Sequence, residues 1–153
     1  MRNLRFAAAL AYGFVVFYFV WVWFGGFMAA RRVPSSFFKS VGQEPALALI
    51  SLGFHFVPTV ALLLLCSLLF ALPFKGHAQA VARTVVVGAV VSYVFWLLLF
   101  AAQSTSQGAS FITELLRSFH APWWGWPALA APFAAFALTY VAAPKLLPSA
   151  AEA

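Results

Sequence analysis

The sequence predicts an all-α, polytopic membrane protein with four transmembrane helices in a bundle and a short interfacial helix before the last span. Hydrophobic residues make up 65% of the 153-residue chain and charged residues only 8%, with no aspartate at all. A water-facing surface needs more polar groups than this. Four apolar runs also approach or exceed the roughly 20 residues that cross a hydrocarbon core of about 30 Å. We therefore expect a single membrane domain over residues 1–153.

The first predicted span covers residues 6–30, with arginines on both sides of it. At about 25 residues it exceeds the roughly 7–15 of a secretory signal core, and it is bulky where a cleavage site would be small, so we expect a retained helix. Its aromatic side chains point all around the helix, which is more than one helix–helix seam needs. This excess favours contact with lipid, with a second membrane protein or with a flat apolar ligand.

The second predicted span covers residues 46–72 and the third covers residues 84–102. Pro58 lies inside the second span and lacks an N–H, so we expect a kink there. The third span is rich in valine, which would indicate a strand in water. In lipid every backbone polar group is satisfied within its own segment, so a helix is predicted.

The fourth predicted span covers residues 127–143, and Pro132 near its start is expected to be a second kink. Small residues on one face predict a seam where another helix comes close; they are Ala131, Ala135 and Thr139. Before this span, residues 110–120 show helical periodicity, which predicts the interfacial helix, with Glu114 on its polar face. Three tryptophans are expected as anchors at headgroup level, namely Trp123, Trp124 and Trp126.

The distribution of lysine and arginine predicts the orientation. Four spans place both termini and the second connection on one side. That side carries Arg2, Arg5, Lys75, Arg83 and Lys145, against Arg31, Arg32, Lys39 and Arg117 opposite. This bias and the neutral, tryptophan-rich third connection predict cytoplasmic termini in a prokaryotic inner membrane. The net charge of +6 suits a bilayer with anionic headgroups, and no nucleic-acid motif is present, so no such partner is predicted.

The second span carries the predicted site, a polar stripe at positions i, i+4 and i+8 formed by Ser51, His55 and Thr59. His55 lies nine residues into its span, a depth of about 14 Å, which is near the middle of the bilayer. Such a stripe should face protein. Ser92 and Tyr93 of the third span lie at a matching depth and are its possible partners.

Two interpretations of His55 remain open. An ionisable group in the membrane interior marks a proton path, a cofactor ligand or a substrate contact. Alternatively, a neutral imidazole bonds to Ser92, Tyr93 or a free carbonyl and holds helices together at about 0.6–2 kcal/mol. We expect the stripe to pack on the small residues of the third span, Thr84, Gly88 and Ser92.

The chain lacks the residue sets that most enzymes and carriers need. Without aspartate there is no Ser–His–Asp triad, and neither the histidines nor Cys66 have partners at metal-ligand spacing. We therefore predict no catalytic residue and no metal site, and assign no cofactor. An ion-coupled carrier usually needs intramembrane acids, and only an oligomer of this chain would line a channel.

These features favour a non-catalytic accessory, anchoring or assembly subunit of a larger integral membrane complex. Its partners would be other integral membrane subunits or further copies of itself. One alternative is a small oligomeric carrier or channel that uses the stripe of Ser51, His55 and Thr59. A second alternative is a subunit that contacts haem or quinone through His55, with a partner providing any second haem ligand.

Overall fold

The regular elements of the chain are helices. A computed structural model describes residues 2–30, 45–105, 108, 110–118 and 126–147, and within these ranges it contains five α-helices and no strand. They are α1 (Arg2–Ala30), α2 (Pro45–Ala71), α3 (Ala78–Thr105), α4 (Phe111–Ser118) and α5 (Trp126–Leu146). The prediction of an all-α protein is confirmed, and the valine-rich run lies within α3.

The α3 helix extends beyond the apolar run that it contains. It begins at Ala78, and the N–H of Val81 already donates to the carbonyl of His77 at 2.9 Å. The chain reverses just before this point, where Gly76 has a φ of 74°, a conformation that glycine adopts at little cost. As a result, the connection from α2 to α3 contains only residues 72–77, and Arg83 lies inside the helix rather than in a loop.

The four long helices alternate in direction. One buried cluster joins the beginnings of α1 and α3 to the ends of α2 and α5; its members are Ala9, Ala71, Val81, Ala82, Val85, Ala143 and Leu147. A second cluster, the central cluster, joins the middle portions of the same helices; it contains Val16, Phe17, Val20, Val60, Leu63, Val86, Ala89, Tyr93, Leu97, Ala131 and Ala135. Consequently α1 and α3 run parallel to each other and antiparallel to α2 and α5.

The α1 and α3 helices pack most extensively, and they touch through glycine. A Cβ atom added to Gly13 would overlap the carbonyl oxygen of Val85 and lie 2.9 Å from the Cα of Gly88. A Cβ added to Gly88 would in turn overlap the carbonyl oxygen of Leu10. The two backbones are therefore close enough for Cα–H···O contacts, which recur where small residues bring helices together.

The α5 helix packs on α2 and α3 through a seam of small residues. The seam is fully buried and consists of Ala131, Ala135, Thr139 and Ala143. At its far end, Gln79 Nε2 of α3 donates to the carbonyl of Leu147 at 2.8 Å. This bond satisfies one of the carbonyls that remain unpaired where a helix ends.

The short helix α4 differs from its predicted orientation. Glu114, expected on the outer polar face, is only 8% exposed, whereas Phe111, Ile112 and Leu116 are exposed. The α4 helix packs against α3. Its acidic side faces the protein and its apolar side faces outward, which is the reverse of the arrangement of an amphipathic helix on a water-soluble core.

Length and composition identify two stretches of helix that are apolar enough to cross a membrane. They are Arg2–Val20 in α1 and Ala78–Gln103 in α3. Shorter apolar helical stretches cover Phe56–Ala71 in α2 and Ala130–Leu146 in α5. These observations give weak support to membrane localisation.

Candidate functional site

The polar stripe of α2 is described in part. Thr59 is buried at 8% exposure, next in sequence to Val60 of the central cluster. His55 and Ser51 lie about one and two turns earlier in the same helix, but their side chains are outside the described part of the chain. The burial of Thr59 agrees with a stripe that faces protein, and the roles of Ser51 and His55 remain predictions.

The two possible partners of the stripe lie on different faces of α3. Tyr93 is 2% exposed and belongs to the central cluster together with Val60 and Leu63 of α2. Its ring meets that of Phe17 edge to face, with centroids 5.7 Å apart. Ser92 is also fully buried and follows Gly88 by four residues, on the face where Gly88 meets α1. Of the two residues, Tyr93 is the one that shares a cluster with α2, and its contact with the stripe remains a prediction.

Two buried hydroxyls have no hydrogen-bond partner among the described residues. They are Ser92 Oγ and Thr139 Oγ1. By contrast, Ser67, also fully buried, donates to the carbonyl of Leu64 at 2.8 Å. An unpaired buried hydroxyl costs about 1–3 kcal/mol. Ser92 lies near the middle of α3, and Thr139 lies about two thirds of the way along α5.

An apolar groove opens between α1 and α2, which pack much less extensively than α1 and α3 do. Its volume is about 370 Å³, and it is lined by Tyr12, Val15, Val16, Phe19, Val20, Leu62 and Cys66. At one end, Tyr12 stacks on Phe70 with ring centroids 4.0 Å apart. The aromatic composition of the first span predicted an outward aromatic surface, but a groove against α2 has no signature in the sequence.

A contact between α3 and α5 was also missed by the sequence reasoning. The guanidinium carbon of Arg83 lies 4.9 Å from the centroid of the Tyr140 ring. Arg83 Nε is buried without a hydrogen-bond partner among the described residues. Because the apolar run begins at Thr84, Arg83 looked like one more cation of a loop. A signal for this contact did exist, namely helix-forming residues on both sides of the arginine.

The remaining predicted site residues have the following positions. Pro58 and Pro132 lie inside α2 and α5, and both helices continue through them; the expected kinks remain predictions. Trp126 is the first residue of α5, whereas Trp123 and Trp124 lie outside the described residues. The anchoring role of the three tryptophans is therefore still a prediction.

The described side chains offer little chemistry. In the described ranges, no three histidine, cysteine or acidic groups lie close enough to hold a metal ion. No protein-family model matches the chain, and no curated protein or solved structure matches it significantly. Any functional conclusion therefore rests on the surfaces of the helices and on their charges.

Proposed function

We propose that this chain is a four-span integral membrane protein and a non-catalytic accessory, anchoring or assembly subunit of a larger membrane complex. The helices α2 and α5 would cross the bilayer together with α1 and α3. They contain 27 and 21 residues, which correspond to about 40 and 32 Å of helix and exceed a core of roughly 30 Å. The segment Pro45–Ala71 contains no charged residue, and Lys145 is the only one in α5.

Exposed apolar side chains on every long helix support this placement. Examples are Val15 and Phe19 on α1, Leu65 and Leu69 on α2, Val94 and Leu98 on α3, and Leu138 and Val141 on α5. A water-soluble monomer rarely leaves contiguous apolar patches of more than a few hundred Å² in contact with solvent. Lipid contact removes this cost from all four helices at once.

The proposed orientation places both termini in the cytoplasm of a prokaryotic inner membrane. The alternating helix directions gather five cations at one end, namely Arg2, Arg5, Lys75, Arg83 and Lys145. Lysine and arginine are enriched on the cytoplasmic side of short membrane connections. The end that contains the connection from α2 to α3 would thus face the cytoplasm.

A single observation carries the proposal of an accessory role: α1 has more aromatic surface than internal packing uses. Phe17 is 2% exposed and packs in the core, but Phe19 is 67% exposed and lines the groove against α2. Aromatic side chains give a large contact area with few rotatable bonds. The occupant we propose for the groove is a transmembrane helix of another integral membrane subunit, since the lining is apolar and helices in lipid associate by close packing.

Affinity purification from gently solubilised native membranes, followed by mass spectrometry, tests this function. We expect one integral membrane partner at fixed stoichiometry, and recovery reduced about tenfold or more by Phe19→Ala, the scale of losing an aromatic anchor. Phe133→Ala, a change to an exposed side chain on α5, is the matched control and should leave recovery unchanged. A chain that runs only as a lone monomer would rule out the accessory role.

The second candidate is the oligomeric carrier or channel, whose polar groups would be those of the stripe that contains Thr59, a side chain shielded from lipid at 8% exposure. Recovery of self-associated copies alone would point to it. Flux of candidate solutes into liposomes would then be compared among the natural chain, His55→Ala and His55→Gln. Flux equal to that of empty vesicles would eliminate this candidate for the solutes tried.

A further inference from the structure

The arginine inside the first turns of α3 is a cation without a counter-charge among the described residues. The only described acid is Glu114, in α4, which follows the opposite end of α3. The other cations at this end are Arg2, Arg5, Lys75 and Lys145. A guanidinium offers five N–H donors in a planar fork, and buried Nε leaves at least one of them without a bond.

An exposed apolar track leads away from this arginine. On α5, Phe136 and Phe133 precede Tyr140 at helical spacing, and all three side chains are exposed. On α3, Val87 and Val94 follow Arg83 on one face and are also exposed. From Arg83 to Val94 the helix rises about 16 Å, which matches one leaflet of a core roughly 30 Å thick.

We propose that Arg83 and Tyr140 form a binding site for the phosphate group of an anionic phospholipid, whose acyl chain lies along this track. The inference rests on the membrane placement proposed above, which puts Arg83 one residue outside the apolar run of the third span. The planar fork of arginine matches the geometry of a phosphate. Tyr140 holds the guanidinium at the edge of the track through its ring face.

The charges around the site select an anionic headgroup over a zwitterionic one. A zwitterionic headgroup brings an ammonium group, and the described residues at this end provide four more cations and no acid to receive it. An anionic headgroup brings no such group. Only in the anionic lipid is the phosphate charge left unbalanced by the headgroup itself, so its direct pairing with Arg83 favours that lipid by about fivefold.

Native mass spectrometry of the full purified chain tests the site, with equal amounts of phosphatidylglycerol and phosphatidylcholine added. We expect phosphatidylglycerol to be retained about fivefold or more over phosphatidylcholine. Arg83→Gln should bring this ratio close to one, and Arg83→Lys should restore part of it. Lys75→Gln removes one charge at the same end, away from the track, and is the matched control that should keep the ratio within about twofold.

Three outcomes would overturn the proposal. They are equal retention of both lipids by the natural chain, equal losses in Arg83→Gln and Lys75→Gln, and displacement of phosphatidylglycerol by millimolar inorganic phosphate. The last would assign the site to free phosphate. Resistance of the chain to alkaline extraction is measured on the membranes from which it is purified. This measurement tests the membrane placement independently of lipid binding. A chain that resists extraction but shows no lipid preference loses the lipid site alone, and a chain that is extracted loses the membrane placement.

Discussion

Gly13 and Gly88 determine how closely α1 and α3 approach, because any side chain at either position would meet backbone of the other helix. Backbone cannot move aside as a flexible side chain does. A methyl group added here separates the helices and disturbs the packing of Val85 and Leu10 around the contact.

We expect Gly13→Ala and Gly88→Ala each to lower the free energy of unfolding in detergent by about 1–3 kcal/mol, the usual cost of overpacking. Gly53→Ala is the control, since a Cβ at Gly53 has no neighbour within 4 Å. Alanine is the better helix former by about 1 kcal/mol, so this variant should be as stable as the natural chain or more so. Equal thermal midpoints for all three variants would contradict the close approach.

Removal of the unpaired hydroxyls should not lower the free energy of unfolding as the glycine substitutions do. Ser92→Ala and Thr139→Val remove buried groups that have no hydrogen-bond partner in the described part of the chain, while nearly keeping side-chain volume. Stability should stay constant or rise by about 1 kcal/mol, because an unsatisfied group is lost and no bond is broken. Chemical unfolding in mixed micelles measures this change. A clear loss in Ser92→Ala would instead indicate a partner, and His55 is then the one to test in a double-mutant cycle.

Among the elements, α5 receives a hydrogen bond from a side chain of α3 where its last turn ends. Pro144 lies three residues before Leu147 and has no N–H to give the helix. That missing donor would have paired with the carbonyl of Tyr140. The carbonyl of Leu147, beyond the end of the helix, is a separate acceptor, and the Gln79 side chain donates to it. This bond connects the end of one helix to the beginning of another, whereas Thr84 only bonds to Ala80 within its own helix.

We expect Gln79→Ala to increase amide hydrogen exchange in the last turns of α5 without changing exchange in the middle of the helix. The lost bond is worth about 0.5–1.5 kcal/mol, which corresponds to roughly two- to tenfold faster local exchange. Thr84→Ala removes only a bond within α3 and should leave α5 unchanged. Hydrogen exchange with mass spectrometry distinguishes the two variants, and uniform acceleration along the chain would argue against a local role.

Sequence patterns predicted the existence of the helices well and their contacts poorly. Apolar length and the backbone rule for lipid were sufficient to predict a helix through the valine-rich run of α3. They placed its beginning at Thr84, since charge marked Arg83 as loop, although helix continues back to Ala78. Gly88 was recognised as a small residue but expected to meet α2. A glycine in the sequence indicates that another part of the chain packs closely against it, but it does not identify which helix that is.

The same limit applies to the candidate site. The burial of Thr59 follows from periodicity, because a polar residue in an apolar helix avoids lipid. The contact of Arg83 with Tyr140 depends instead on the relative positions of two helices, and the two residues lie more than fifty positions apart in the chain. No local pattern encodes that distance, and neither does the inward rotation of Glu114 in α4.

At the scale of the whole molecule, the alternating helices separate the connections into two sets. In a chain with Cys66→Ser, single cysteines introduced by Lys75→Cys, Lys145→Cys and Thr113→Cys report these sets; all three positions are exposed. We expect a membrane-impermeant maleimide to label the first two only in inside-out vesicles. The third should react only in intact spheroplasts. Labelling of all three from one side would exclude the four-span arrangement and the proposed cytoplasmic termini.

The glycine contact between α1 and α3 also sets an order of events during synthesis. Gly88 follows Gly13 by 75 residues, so at about 5–20 residues per second the ribosome supplies it roughly 4–15 s later. During this interval α1 has only α2 beside it, the neighbour with which it shares the groove. In the proposed membrane placement, a nascent chain that stalls before α3 would leave the glycine face of α1 exposed to lipid, without the helix that packs on it.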